Sequence, residues 1–133
     1  MSESRQAGFS LIGVLVAVAI IGVMAAIAVP KFTATIMTAN TAKVQSDLTT
    51  LDAAIAVYQL EKGYEPGSLE DLKEYVSDFG NLRPPQGKCK LKDGSVVDLK
   101  NAQYSLRKGE ENGIEGARAI CAEHTAGEFG NVR

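Results

Sequence analysis

The stretch from Gly8 to Pro30 reads Gly-Phe-Ser-Leu-Ile-Gly-Val-Leu-Val-Ala-Val-Ala-Ile-Ile-Gly-Val-Met-Ala-Ala-Ile-Ala-Val-Pro and constrains the chain more than any other part of it. Between Phe9 and Val29 there is no charge and a single hydroxyl, Ser10, so a helix here is apolar on every side. Such a helix needs an apolar surrounding. At its ordinary rise the run is about 32 Å long, against a hydrocarbon core of roughly 30 Å. It can span a bilayer or lie inside an assembly. A cleaved secretory signal competes, because Ala26-Ile27-Ala28 fits a small-x-small cut and Arg5 supplies a thin basic region. The run is longer than a usual signal core, however, and that reading leaves Gly8-Phe9 unexplained.

Gly8-Phe9-Ser10-Leu11-Ile12, preceded by a short polar leader, closely resembles the prepilin processing motif of type IV pilins and type II secretion pseudopilins. The resemblance implies cleavage by a membrane peptidase between Gly8 and Phe9, methylation of the new N-terminal Phe9, and retention of the apolar run on the mature chain. Gly22 and Pro30 fall where family members often carry Gly and a kinking Pro. Gly13 departs from the pattern. The family usually has Glu there, whose carboxylate is thought to pair with a neighbouring subunit's N-terminal amine; residues other than Glu accompany some minor or tip subunits.

About 100 residues follow the run, enough for one small module. A net charge of -2 gives no global drive toward nucleic acid or anionic lipid. From Lys31 to Lys62 there is neither Gly nor Pro, and Met37, Thr41, Val44, Leu48, Leu51, Ile55 and Tyr58 recur in steps of four and three. That spacing draws one core-facing stripe along a continued helix, with Lys43, Asp47, Asp52 and Gln59 left to solvent. Lys62-Gly63 suits a helix end, and Pro66-Gly67 cannot continue it. Phe9 to Lys62 then makes a helix of about 80 Å, bent near Pro30, which no domain this small can cover. On the family reading, Gly22 to Pro30 is the stretch that unwinds on assembly.

Ser68-Leu69-Glu70-Asp71 has the form of a capping box and predicts a short helix through about Val76, with Leu69, Leu72, Tyr75 and Val76 inward. The Gly63–Leu72 segment resembles the region after the long helix in major pseudopilins, extending the resemblance to about residue 76. Residues 77–88, with Gly80, Pro84, Pro85 and Gly87, read as loop. Four short segments of strand composition follow: Cys89–Leu91, Val96–Leu99, Ala102–Leu106 and Ala117–Ala122. Asp93-Gly94 and Glu110–Gly113 are turn signals, and the last segment is rich enough in helix formers to be a helix instead. The expected fold is α+β: a long N-terminal helix, transmembrane in one half and amphipathic in the other, packed on a small antiparallel sheet, pilin-like. Its parts are a leader (1–8), a transmembrane or filament-core helix (9–30), the amphipathic half (31–62) and a head (63–133).

Cys89 and Cys121 both lie beyond the apolar run, where an oxidising compartment lets them pair; two reduced cysteines in a core are the alternative. A bond between first and last strand would staple the sheet and contribute about 3–4 kcal/mol. His124, the sole histidine, follows Cys121 by three and reads as an exposed tail residue, since two ligands do not make a tetrahedral metal site. Glu110, Glu111, Asn112 and Glu115 offer oxygens to calcium, but not in the twelve-residue loop spacing. No cofactor is implied. No catalytic motif, phosphate loop or dinucleotide fingerprint is present, which argues against an enzyme.

The interval Lys88–Lys108 carries Lys88, Lys90, Lys92, Lys100, Arg107 and Lys108 against Asp93 and Asp98. It suits the acids of a neighbouring subunit, such as Glu70, Asp71 and Glu74, or simple solubility; DNA is disfavoured because Tyr104 is its one aromatic. Taken together, the resemblance implies a structural subunit of a type IV pilus or pseudopilus. It would pass from single-pass precursor in the inner membrane to extracellular or periplasmic filament. Its partners would be other pilin-like subunits, prepilin peptidase, inner-membrane assembly machinery and, before assembly, lipid. A secreted or anchored monomeric binding module with a cleaved signal is the alternative.

Overall fold

The computed structural model describes the backbone of residues 2–110 and 116–130 and the side chains of residues 10–110 and 116–130. Helix α1 (Ser2–Lys62) is its dominant element. It takes in Pro30 and also residues 2–8. Thr33, Thr35, Thr41, Thr49 and Thr50 each donate their hydroxyl to the carbonyl four residues earlier, at 2.7–3.1 Å, so these hydroxyls are satisfied on the helix itself. Gly63 ends the helix at φ +80°, its N–H donating to the Gln59 carbonyl at 2.8 Å.

Two compact units share this chain, Met1–Ile36 and Met37–Arg133. In the first, the described apolar side chains are exposed in every direction: Val14, Leu15, Val16 and Met24, which together circle the helix, are all more than half exposed. This part of the helix is long and apolar enough to cross a membrane.

The second unit is built on the predicted stripe. Thr41, Val44, Leu48, Leu51, Ile55 and Tyr58 are buried, joined by Ala54, while Met37 is half-buried. Leu72, Val76, Cys89, Leu91, Leu99, Ala117, Ala119, Cys121 and Phe129 close over them. Full burial of each large aliphatic side chain contributes about 1.5–3 kcal/mol.

Among the described residues, five short strands surround the stripe: β1 (Lys88–Lys90), β2 (Val96–Asp98), β3 (Tyr104–Arg107), β4 (Arg118–Cys121) and β5 (His124–Thr125). Where the sequence predicts one sheet, the structure has two, β1-β2 and β3-β4-β5, both antiparallel. The cause is that both edges of β1 are already taken. β2 holds one, and the C-terminal segment holds the other through Lys92 N–H to the Glu128 carbonyl and Gly130 N–H to the Lys90 carbonyl, both 2.9 Å. Between β2 and β3 the chain turns at Leu99–Ala102, with Asn101 at φ +64°, so β3 begins a separate ladder.

Residues 118–121 resolve as strand because Ala117, Ala119 and Cys121 alternate inward, a period of two that overrides their helix propensity. β5 was not foreseen. Its hairpin turn is Ala122-Glu123 at φ +49° and +67°, residues that carry none of the usual Asn-Gly signal. The short helix after Ser68 is also shorter and tighter than expected, a 3₁₀ helix over Leu69–Leu72 followed by turns. Asp71 accepts the N–H groups of Gly67 (2.9 Å) and Ser68 (3.3 Å) as its capping box demands. Bonds from Lys73 to Glu70 and from Tyr75 to Leu72 then keep the three-residue spacing. The Asp93-Gly94 turn forms with Gly94 at φ +92° and Leu91 N–H on the Ser95 carbonyl. The Glu110–Gly113 turn lies largely outside the described residues.

Candidate functional site

Residues 8–36 form the first candidate site. Gly8 and Phe9 lie on the helical backbone of α1, the Phe9 side chain outside the described atoms. Gly13 and Gly22 sit in the helix interior, where each costs about 1 kcal/mol relative to Ala. A Cβ added to either meets nothing within 4 Å, so nothing in the chain's own packing calls for glycine. Pro30 lies within the same helix and withholds one N–H from its ladder.

The second candidate region is the face where the head meets the helix. Asp47 and Asp52, expected in solvent, are instead its main ties. Asp47 is 9 % exposed and accepts the Tyr104 hydroxyl at 2.7 Å and Lys43 Nζ at 2.6 Å. Asp52 accepts the Ala119 N–H at 2.8 Å, with Arg118 Nε at 3.9 Å. Three neutral side chains complete the row. Thr41 Oγ1 accepts the Lys90 N–H (2.9 Å), Gln45 Nε2 donates to the Phe129 carbonyl (2.7 Å) and Asn40 Nδ2 to the Lys88 carbonyl (3.3 Å). The signal was in the spacing, since Asp47 stands three and four residues from Val44 and Leu51, and Asp52 four and three from Leu48 and Ile55.

Burial, reinforced by the Asp47 carboxylate, pushes the Tyr104 hydroxyl well above the usual phenol range. The one aromatic of the basic interval is thus partly buried and committed inward, not a stacking platform. Burial also raises Asp52, only partly offset by the Ala119 N–H and Arg118.

Cys89 and Cys121 are both free thiols and fully buried. They sit on different sheets, β1 and β4, so a bond between them would tie sheet to sheet rather than staple one sheet. Burial and the neighbouring Cys89 push Cys121 up to about 11; burial raises Cys89, partly offset by the Thr41 hydroxyl. His124 is not a tail residue but lies on β5. Its Nδ1 is 3.1 Å from the Glu128 carboxylate, and its ring stands edge-to-face on Phe129. Among the described residues, no three His, Cys, Asp or Glu side chains gather as a metal site. Glu110 is exposed, and Glu111, Asn112 and Glu115 lie outside the described residues. A cleft of about 720 Å³ has Leu51, Leu69, Phe79 and Tyr104 in its walls with Glu70, Lys73 and Arg83, but the one histidine is elsewhere.

The family model described as the prokaryotic N-terminal methylation motif matches residues 4–29. The chain therefore carries the signature of type IV pilins and pseudopilins, on a long helix with small antiparallel sheets. No curated protein and no solved structure matches it. The motif points to a structural protein rather than an enzyme and, with the apolar helix, is consistent with a membrane-anchored precursor.

Two outcomes follow from the head–helix ties. Tyr104→Phe leaves Asp47 buried without its hydroxyl donor and is expected to lower stability by about 1–2 kcal/mol, read as the urea midpoint of the full chain in detergent. Asp52 holds its proton to higher pH in the folded than in the unfolded state, so its ionised form opposes folding and stability falls as pH rises from about 4 through the raised pKa. Asp52→Asn, which keeps an acceptor for Ala119, is expected to flatten that limb of the pH–stability curve; an unchanged slope assigns the titration to another group.

Proposed function

We propose that this chain is a structural subunit of a type IV pilus or a type II secretion-type pseudopilus. One observation carries the reading: the methylation motif sits on a helix whose apolar side chains are bare on all sides. In lipid, that helix has its backbone bonds satisfied internally and its side chains solvated by acyl chains. Leaving lipid is tolerable only when other such helices take the place of the acyl chains. The action is mechanical, a transfer of one helix from membrane to filament core.

The parts then have assigned roles. Residues 1–8 are the leader, 9–30 the transmembrane and core helix, 31–62 the amphipathic half and 63–133 the head. Prepilin peptidase cuts between Gly8 and Phe9, and Phe9 is methylated. Pro30, with Gly22, marks the stretch that loosens on assembly, and Gly13 leaves the N-terminal amine of a neighbour without a carboxylate. On export, Cys89 and Cys121 pair and join the two sheets; the closeness of the two thiols, each within electrostatic reach of the other, supports this. The subunit passes from inner membrane to extracellular or periplasmic filament with other pilin-like subunits and the assembly machinery as partners.

N-terminal sequencing and intact mass of the membrane-fraction protein, made with a prepilin peptidase, are expected to give a chain starting at Phe9 with one added methyl group. A chain starting at Val29 supports instead a secreted module with a cleaved signal. The Gly13 position yields a second outcome, because the helix has room for a larger side chain there. Gly13→Glu is expected to raise incorporation into sheared filaments for a shaft subunit; unchanged incorporation assigns the chain to a tip.

A further inference from the structure

The second unit ends in two different surfaces. At the far end of α1, Tyr58 packs edge-to-face on Tyr64 and Tyr75, with ring centroids 5.9 and 5.6 Å apart. Glu61, Asp71 and Glu74 lie around these rings and are exposed, with Lys62 the base in the last turn. About 25–30 Å back along the helix, at Asn40–Gln45, β1 is docked. Here Lys88, Cys89, Lys90, Leu91 and Lys92 alternate, and the burial of Cys89 and Leu91 turns the three lysines to the outer face. Val96 and Asp98 of β2 stand opposite Lys90 and Lys88 on that face. No ion pair engages these lysines among the described residues.

Exposed large hydrophobic residues mark the same two places. Within the Met37–Arg133 unit the described ones are Val57, Leu60 and Tyr64 at the acidic end and Val96 at the basic face; Leu60 is 87 % exposed. Both surfaces thus combine apolar anchors with charge, of opposite sign, which is the composition of a protein–protein contact. Their separation exceeds the screening length of about 8 Å at physiological salt, so they do not neutralise each other within one molecule.

We propose that the acidic end of one head, around Leu60, Glu61 and Glu74, docks on the Lys88–Lys90–Lys92 face of a second copy of this chain. The inference rests on the filament reading above. Because the two surfaces differ, the contact is heterologous, and each added copy offers a fresh acidic end and a fresh basic face. Such a contact builds an open row of heads rather than a closed dimer. Duplex DNA is the weaker partner for the lysines, since the Asp98 carboxylate stands among them and repels phosphate.

The test is a charge swap in the full chain, made in cells with the assembly machinery and read as sheared filament. Reversing the basic face (Lys88→Glu, Lys90→Glu, Lys92→Glu) or the acidic end (Glu61→Lys, Glu74→Lys) is expected to lower yield about tenfold or more. Combining both reversals in one chain is expected to restore it to within about threefold of the original. Restoration excludes misfolding as the cause of the loss. Cleavage at Gly8 without filament in the unmutated chain counts against the subunit reading itself. Filament from the unmutated chain, with single reversals that assemble equally well or a combined variant that stays defective, overturns this contact alone. Lysine reversal that abolishes retention of duplex DNA while assembly is untouched makes the row a nucleic-acid face and likewise overturns it.

Discussion

The structure depends on the mismatch between one helix and what the chain has available to cover it. A helix satisfies its own backbone, so nothing in α1 forces the chain to fold around it; only its side chains need an environment. In Met37–Arg133 that environment is the head, through the buried row from Thr41 to Tyr58. In Met1–Ile36 the described apolar side chains have no cover in the chain. A soluble monomer with so large an apolar surface in water is not a stable state, so this part of the helix needs an apolar surrounding beyond what the described chain supplies.

The head is held to its helix by apolar contact and by polar ties that fix register. A stripe of Val, Leu and Ile would tolerate sliding by a turn. Asp47 on Tyr104, Asp52 on the Ala119 N–H, Thr41 on the Lys90 N–H and Gln45 on the Phe129 carbonyl do not, since each matches one helix position to one strand position. Partial burial of a carboxylate opposes folding by desolvation, and the raised pKa of Asp52 is the sign of it. What is gained is a single placement of strands too short to hold themselves: β1 and β2 have three residues each and β5 two.

Those same features decide what could be read from sequence. The helix, its stop at Gly63, the inward stripe and the approximate position of four strands follow from local rules, because period, caps and turn residues are written in neighbouring positions. The division into two sheets does not, since it turns on residues 128–130 taking the outer edge of β1, a pairing between segments about 40 residues apart. β5 escaped because Ala122-Glu123 adopts a left-handed turn with no residue that favours it, a strain the surrounding contacts must impose. The inward position of Asp47 and Asp52 is masked in the sequence because their charge suggests solvent, while only their three- and four-residue spacing from the buried stripe points inward. Of the candidate site, the motif around Gly8-Phe9 was fully legible; the inward commitment of Tyr104 and the strand position of His124 were not.

Glycine at 13 and 22 sharpens the argument about where this chain's energetics are settled. Each position weakens an isolated helix, and neither relieves a contact within the chain, for a Cβ there would meet open space. Gly63 and Gly94, by contrast, stand at φ +80° and +92°, where the backbone itself demands them. On the proposed subunit reading, such residues would find their reason in a neighbouring helix that approaches closely or in a conformation adopted on assembly. On that reading the change of conformation belongs to Gly22–Pro30, and the free energy that a lone chain forgoes at Gly13 and Gly22 would be recovered when its helices are packed side by side.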